Sequence, residues 1–270
     1  MRVIDVAEVT AKIRDMAIES NYNVDPEFLA RIESAKTSES SPLGLNILNQ
    51  ITENAELASA ERVPYCQDTG LSIVFADVGQ DVHFTGGSLE SAINEGVRQG
   101  YRDGYLRGSV VNDPLRRENT KDNTPAVIHY RVIPGDHFVL YFAAKGTGSE
   151  NMSMARMLKP SDGREGILRT VVEHVFESGG NPCPPILLGI GLGGSIEKAA
   201  QIAKWSLFRP LGRPNPDPLV ADLEQDILKA VNRTGVGPMG MGGDTTCVAV
   251  HIETYPCHIG ALPICINVEC

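Results

Sequence analysis

Three prolines within five residues, Asn181-Pro182-Cys183-Pro184-Pro185, place the strongest limit on what this chain can fold into. Proline fixes φ and donates no backbone hydrogen bond, so the segment cannot be helix interior. It follows Gly179-Gly180, the stop chemistry expected after a helix. That helix is legible over 162–178 from Ile167, Leu168, Val171, Val172 and Val175 at helical spacing. Beyond the prolines, Ile186-Leu187-Leu188-Gly189-Ile190 reads as a short buried strand. Gly191-Leu192-Gly193-Gly194-Ser195 then opens a helix through about residue 208. Helix, rigid break, strand, glycine turn and helix together indicate an α/β protein.

The rest of the chain agrees. Val6, Val9, Ile13 and Ala17 predict a helix over 5–20, Pro26 starts a second, and Leu43, Ile47, Leu48, Ile51 and Ala55 predict a third over 42–60. Residues 71–78 are rich in strand formers, and 88–100 return to helix with Leu89, Ala92, Ile93 and Val97 on one face. The polar stretch 101–125 is long for a structureless connection, and loops of that kind are often functional. Strands near 126–133 and 137–144 flank Pro134-Gly135-Asp136, which predicts a hairpin. A helix over 218–233 and strands over 246–252 and 261–268 complete the pattern. There is no repeat, linker or low-complexity tract. The expectation is one mixed α/β domain over residues 1–270 with N-terminal helices and a central sheet, a bilobed layout being compatible.

A chain of 270 residues buries roughly three quarters of its unfolded surface and needs no disulfides to hold a core. Its 24 basic and 34 acidic residues give a net charge of −10, which argues against nucleic acid and anionic membranes as partners. A small anionic substrate needs only a local group of cations. No apolar run reaches the ~18 residues of a membrane span, and no signal peptide precedes the first helix pattern. The expected compartment is a reducing cytoplasm, where grouped cysteines point to metal rather than disulfides.

Six cysteines are present. Cys66-Gln67-Asp68 sets a soft ligand, an amide and a carboxylate side by side, with Pro64 and Gly70 bracketing them in a tight loop. A thiolate suits iron–sulfur clusters, zinc or nucleophilic catalysis, and the carboxylate suits proton transfer. Most cysteines are simply small buried residues, and Cys247, in Thr-Thr-Cys-Val-Ala-Val, reads that way. Cys183 in the proline loop and Cys270 beyond the last strand share the setting of Cys66. Cys257 and Cys265 stay open, with a zinc site of Cys257, His258 and Cys265 as one reading. No CxxC pair exists, so zinc-ribbon and ferredoxin spacings are absent. The glycine run 189–194 has the context of a dinucleotide fingerprint, but no early βαβ unit supports it. Close backbone packing, or an anion at a helix N-terminus, accounts for it better. Gly235–Gly243 reads as a long turn, and no Gly-Lys-Ser/Thr follows to make it a phosphate loop.

Cys66-Gln67-Asp68-Thr69-Gly70, Asn181-Pro182-Cys183-Pro184-Pro185 and the glycine run after it resemble the alpha subunit of class I, iron–sulfur-dependent fumarases and L(+)-tartrate dehydratases. The resemblance continues through Gly235-Val236-Gly237-Pro238, Val250-His251-Ile252-Glu253 and His258-Ile259-Gly260-Ala261-Leu262-Pro263, nearly the whole chain. It implies the class I fumarase N-terminal, cluster-binding type of fold and a 4Fe–4S cluster held by Cys66, Cys183 and Cys270, Cys265 being the rival for third ligand. An iron left open would act as a Lewis acid on a carboxylate and hydroxyl. The resemblance makes Asp68 the catalytic residue that accepts or relays the hydroxyl proton. It places Gln67, Arg107, Gly146, Thr147, Gly148 and His258 at the substrate, Arg107 gripping a carboxylate, a bidentate task. A solvated surface arginine is the plain alternative for Arg107, and Thr147 stands where the family loop has glycine.

The family's second half is absent, so the resemblance implies a beta subunit carrying the catalytic base, a small dicarboxylate substrate and an assembly of two alpha–beta pairs. The glycine-rich segments 189–194 and 237–243 are expected as packing surfaces for that subunit. Family alpha subunits usually continue a little past the position matching Cys270. The leading expectation is a lyase that reversibly hydrates fumarate to L-malate. L(+)-tartrate dehydration to oxaloacetate is the rival. A non-enzymatic iron–sulfur sensor is the reading from another class, and three ligands rather than four argue against electron transfer.

Overall fold

The computed structural model describes residues 1–270. In chain order its elements are β1 (Arg2–Asp5), α1 (Val6–Tyr22), α2 (Pro26–Lys36), α3 (Pro42–Glu61), β2 (Leu71–Gly79), β3 (Val82–Thr85), α4 (Leu89–Asp103), β4 (Val127–Ile133) and β5 (Phe138–Lys145). Then come α5 (Thr147–Glu150), β6 (Met154–Leu158), α6 (Gly163–Ser178), β7 (Ile186–Gly193), α7 (Ile196–Ser206), α8 (Pro218–Asn232), β8 (Cys247–Tyr255) and β9 (Leu262–Glu269). This is the mixed α/β architecture expected, with its strands in three sheets instead of one central sheet. The chain forms two compact units, one of residues 1–24 and 54–147, the other of residues 25–53 and 148–270. No helix is long and apolar enough to cross a membrane.

In the first unit, Asp5 caps α1 by accepting from the Ala7 N–H at 2.9 Å, which satisfies one of the four free donors at the helix start. The buried stripe Val9, Ile13, Ala17 packs against α4 with its Ile93 and Val97. Gly96 and Gly100 permit that approach: a Cβ there would lie 2.7 Å from Cβ of Ile13 and 2.8 Å from Cβ of Ala17. β1 and β3 pair in parallel, and a three-stranded sheet has the order β4-β2-β5.

The expected hairpin of the strands either side of Pro134-Gly135-Asp136 does not form. β4 pairs parallel to β2 and β5 antiparallel to it, so β2 lies between them. The reason is burial. β2 is buried along Ser72–Asp77, while β4 and β5 are half-exposed. The turn between β4 and β5 crosses the end of β2, where the Gly79 N–H donates to the His137 carbonyl at 2.8 Å and the Asp81 N–H to the Gly135 carbonyl at 2.9 Å.

The second unit is built on the sheet β6-β9-β7-β8, with β7 parallel to β8 and antiparallel to β9. Alternation along β7 divides its two faces. Leu188, Ile190 and Leu192 enter a core shared with Ile167, Val171 and Val175 of α6 and Leu223, Ile227 and Val231 of α8. Gly189 and Gly191 face α7, where a Cβ would stand 2.4 Å from the Ala203 carbonyl oxygen and 2.0 Å from that of Ala199. The glycine run is therefore strand as far as Gly193, and α7 starts at Ile196, later than the sequence pattern indicates. Backbone packing explains it, and no ligand loop is needed. All eight residues of β7 are buried, which removes 189–193 as a surface for a partner.

Candidate active site

Residues 62–70 form an irregular loop between α3 and β2 in the first unit, with Cys66 half-buried, Gln67 exposed and Thr69 and Gly70 buried. The Asp68 N–H donates to the Cys66 sulfur at 3.4 Å, and the Gln67 amide oxygen lies 3.6 Å from that sulfur. The loop is tied down behind these residues. The Tyr101 hydroxyl of α4 donates to the Thr69 carbonyl at 2.6 Å and reaches the Gly70 carbonyl at 3.0 Å. Burial pushes the Tyr101 phenol up to about 12, so it remains a donor. The fully buried Asn123 donates to the Gly70 carbonyl at 3.0 Å and accepts from the Ser109 and Val110 N–H groups. Gly70 has φ +71°, and a Cβ on it would be 2.4 Å from the Lys145 carbonyl carbon, so no larger residue fits.

Asp68 and Arg107 are brought together from distant parts of the chain. One Asp68 oxygen accepts from the Gly70 N–H at 3.1 Å, and the other accepts from the Thr147 N–H at 2.8 Å and hydroxyl at 2.9 Å. Burial works to raise the Asp68 pKa, but the Thr147 and Gly70 hydrogen bonds and the Arg107 charge outweigh it. The carboxyl is held below its usual range. Thr147, the departure from glycine in the family loop, supplies the one side-chain hydroxyl among those donors. Thr69 and Arg107 exchange hydrogen bonds, the Arg107 N–H donating to the Thr69 hydroxyl at 2.9 Å and that hydroxyl to the Arg107 carbonyl at 3.2 Å. This fixes the Arg107 backbone while its side chain stays exposed. Gly146 lies beside Asp68, a Cβ there being 3.7 Å from a carboxylate oxygen.

Gly148, Cys183, His258 and Cys270 belong to the second unit. Cys183 is exposed at φ +56°, an uncommon conformation outside glycine, and its N–H donates to the Gly180 carbonyl at 3.0 Å. A Met239 N–H to Pro184 carbonyl bond of 2.8 Å packs the loop onto the turn at Pro238–Gly240. A Cβ on Gly148 would lie 3.5 Å from the Asn181 carbonyl oxygen, so Gly148 borders the cysteine loop. His258 is exposed, and its Nδ1 accepts from the Gly260 N–H at 3.1 Å, which leaves the Nε2 proton available in the neutral ring. Cys270 is exposed just past β9.

The other cysteines differ in kind. Cys247 and Cys265 are buried in strands, and burial pushes their thiols up to about 12 and about 11. Cys257 is exposed and donates to the Ala261 carbonyl at 3.3 Å. With Cys265 inside β9 and Cys257 and His258 exposed beyond β8, the zinc reading of that trio does not hold. No three His, Cys, Asp or Glu side chains form a ready-made metal group. The donor chemistry nevertheless suits an iron–sulfur cluster: Cys66, Cys183, Cys257 and Cys270 are accessible thiols in loops or at strand ends, while Cys265 is buried with its thiol pushed up to about 11. His251 is a core histidine. Its Nδ1 bonds the Ser206 carbonyl at 3.1 Å, and burial with the Arg209 charge pulls its pKa down to about 4. The sequence patterns did not single out Tyr101 or Thr69 as supports. Their only signal is a helix-end tyrosine and a threonine beside the candidate carboxylate.

Residues 10–270 match the family described as Fumarate hydratase (Fumerase). A protein of Methanocaldococcus jannaschii, provisionally named L(+)-tartrate dehydratase subunit alpha, is 41% identical over 245 residues, 88% of this chain and 86% of that protein. The L(+)-tartrate dehydratase subunit alpha of Escherichia coli is 28% identical over 268 residues, 98% of this chain and 88% of its own length. That of Shigella boydii is 27% identical over 268 residues with the same coverage. The mixed α/β fold and a match of this extent define an enzyme of the hydro-lyase class. The chain belongs to the fumarate hydratase (Fumerase) family.

Proposed function

We propose that this chain is the alpha subunit of an iron–sulfur hydro-lyase that reversibly hydrates fumarate to L-malate together with a beta subunit. The observation that carries the reading is the Asp68 carboxylate, fixed by Thr147 and Gly70 and neighboured by the Cys66 thiol and the exposed Arg107. Cys66, Cys183 and Cys270 are the thiols that would hold a 4Fe–4S cluster. When bound, its open iron supplies Lewis acidity toward a substrate hydroxyl and carboxylate.

The residues of this chain have distinct tasks in that reaction. Arg107 receives a substrate carboxylate through its planar guanidinium. Gln67, the 146–148 loop and His258 orient the dicarboxylate by hydrogen bonds. Asp68 stays ionised and accepts the hydrogen bond of the substrate hydroxyl. A carboxylate held below its usual range is poorly matched to taking a proton from carbon. That base is accordingly assigned to the beta subunit, whose existence is also implied by the names of the relatives. By family resemblance the assembly is two alpha–beta pairs, and thiol-based chemistry fits a reducing cytoplasm.

The relatives' names favour a second substrate, L(+)-tartrate, dehydrated to oxaloacetate. Both reactions move water across adjacent carbons of a four-carbon dicarboxylate, so both use the same residues. Anaerobic assay of the co-expressed alpha–beta complex on fumarate, L-malate and L(+)-tartrate separates them. Higher kcat/KM on fumarate and malate supports the first reading, and higher kcat/KM on tartrate replaces it with the second. Inactivity on all three, in protein loaded with iron, would reject the proposal.

A further inference from the structure

We propose that the second unit carries a binding site for a small multivalent oxyanion, a phosphate group or clustered carboxylates, in the cleft between β6 and the first half of α6. The cleft has a volume of about 270 Å³. That is roughly nine times the share of a water molecule in the liquid, enough for a phosphate or a tricarboxylate with some hydration. Three cations border it: Arg156 on β6, Lys159 just beyond it and Arg169 on α6. None of the three holds an ion pair, and all are exposed.

Two acids, Asp162 and Glu173, also line the cleft, and neither forms an ion pair with these cations, so the lining keeps one net positive charge. Asp162 accepts the Lys159 backbone N–H at 2.8 Å, so its carboxylate is occupied in closing the turn before α6. Arg169 and Glu173 stand at i,i+4 on α6, the spacing at which helical pairs form, yet they make none. Arg164 in the same helix does pair, with Asp226 at 2.6 Å, so the difference is local. Gly166 lines the cleft and packs closely on Asp162, a Cβ there lying 2.4 Å from Cβ of Asp162. The Thr170 hydroxyl donates to the Gly166 carbonyl at 2.7 Å, which leaves the arginine and lysine heads as the donors toward a ligand. Two guanidinium groups and an ammonium around one small space match an oxyanion of more than one charge.

Isothermal titration calorimetry of the full chain at fixed ionic strength tests the site, with inorganic phosphate, citrate and, as control, chloride. One saturable site per chain for phosphate, citrate or both is expected, the preference identifying the source of the oxyanion. Arg156→Ala/Arg169→Ala should weaken it at least tenfold, about 1.4 kcal/mol by that conversion. Lys159→Gln, a single exposed substitution, should weaken it severalfold, and thermal melts confirm folding of each variant. Arg107→Ala should retain the binding. No saturable heat from either anion up to about 10 mM, beyond any useful affinity, would overturn the proposal. So would a site that survives the double substitution and disappears in Arg107→Ala.

Discussion

Asp68 sits where burial and hydrogen bonding pull in opposite directions, and the hydrogen bonds win. Its folded pKa therefore lies below that of an unfolded aspartate. The resulting stability is fully present above the unfolded value and is lost as pH falls through the folded one. Chemical unfolding of wild type and Asp68→Asn across the acid range should show wild type losing stability more steeply below the ordinary carboxylate range, with a constant difference near neutrality. Parallel acid slopes would mean that Asp68 is uncoupled from folding. Activity of the alpha–beta complex should fall by about 100-fold or more in Asp68→Asn, on the scale of a lost charge-assisted contact in the transition state. The cysteines make a second residue-scale test. Iron loading should be lost in Cys66→Ser, Cys183→Ser and Cys270→Ser and kept in Cys265→Ser, whose thiol is buried and protonated. Loading retained in Cys270→Ser and lost in Cys265→Ser would move the third ligand to position 265. The candidate residues at the loop were legible in sequence because a thiol, an amide and a carboxylate in succession carry chemistry on their face. Tyr101 and Asn123 were not, because hydrogen bonds to main-chain carbonyls leave no pattern in the residues that accept them.

The elements show the same division between local and non-local information. The amphipathic helices α1, α3, α4, α6 and α8 follow the apolar spacing closely, since one face of each meets a core. The pairing of β4 and β5 was missed because a turn signal reports chain reversal only. Which strand lies between them is decided by how much apolar surface each must bury, and β2 has the most. The short strands β1, β3 and β6 lack enough residues to show a period. The β7–α7 contact carries its own prediction. Gly191→Ala sets a Cβ 2.0 Å from the Ala199 carbonyl oxygen, which must displace α7. The cost should be about 3 kcal/mol, at the upper end for overpacking a core. Urea unfolding that places this variant within about 0.5 kcal/mol of wild type, the range of an ordinary surface change, would show that α7 moves freely on β7.

At the scale of the whole molecule, charge and the inventory of groups determine what the chain can do alone. A net charge of −10 repels a dicarboxylate at long range, so capture depends on local cations such as Arg107. The titratable groups assigned to substrate are Asp68, fixed as an ionised hydrogen-bond acceptor, and His258, exposed with Nδ1 engaged by Gly260. Neither is placed as a base for a proton on carbon. Lyase chemistry needs that base held opposite the departing hydroxyl, with both around one substrate. A chain with the metal-side thiols and the hydroxyl acceptor but no assigned carbon base should load iron and leave the substrate unreacted. Anaerobically reconstituted alpha chain is expected to bind about four irons, the complement of one such cluster. Its turnover should stay at least about 1,000-fold below that of the alpha–beta complex, the combined scale of a missing general base and lost positioning. Titrating purified beta subunit into it should restore activity to a plateau at equal proportions of the two chains. Full activity from alpha chain free of beta would place the base within these 270 residues and make His258 the first residue to replace.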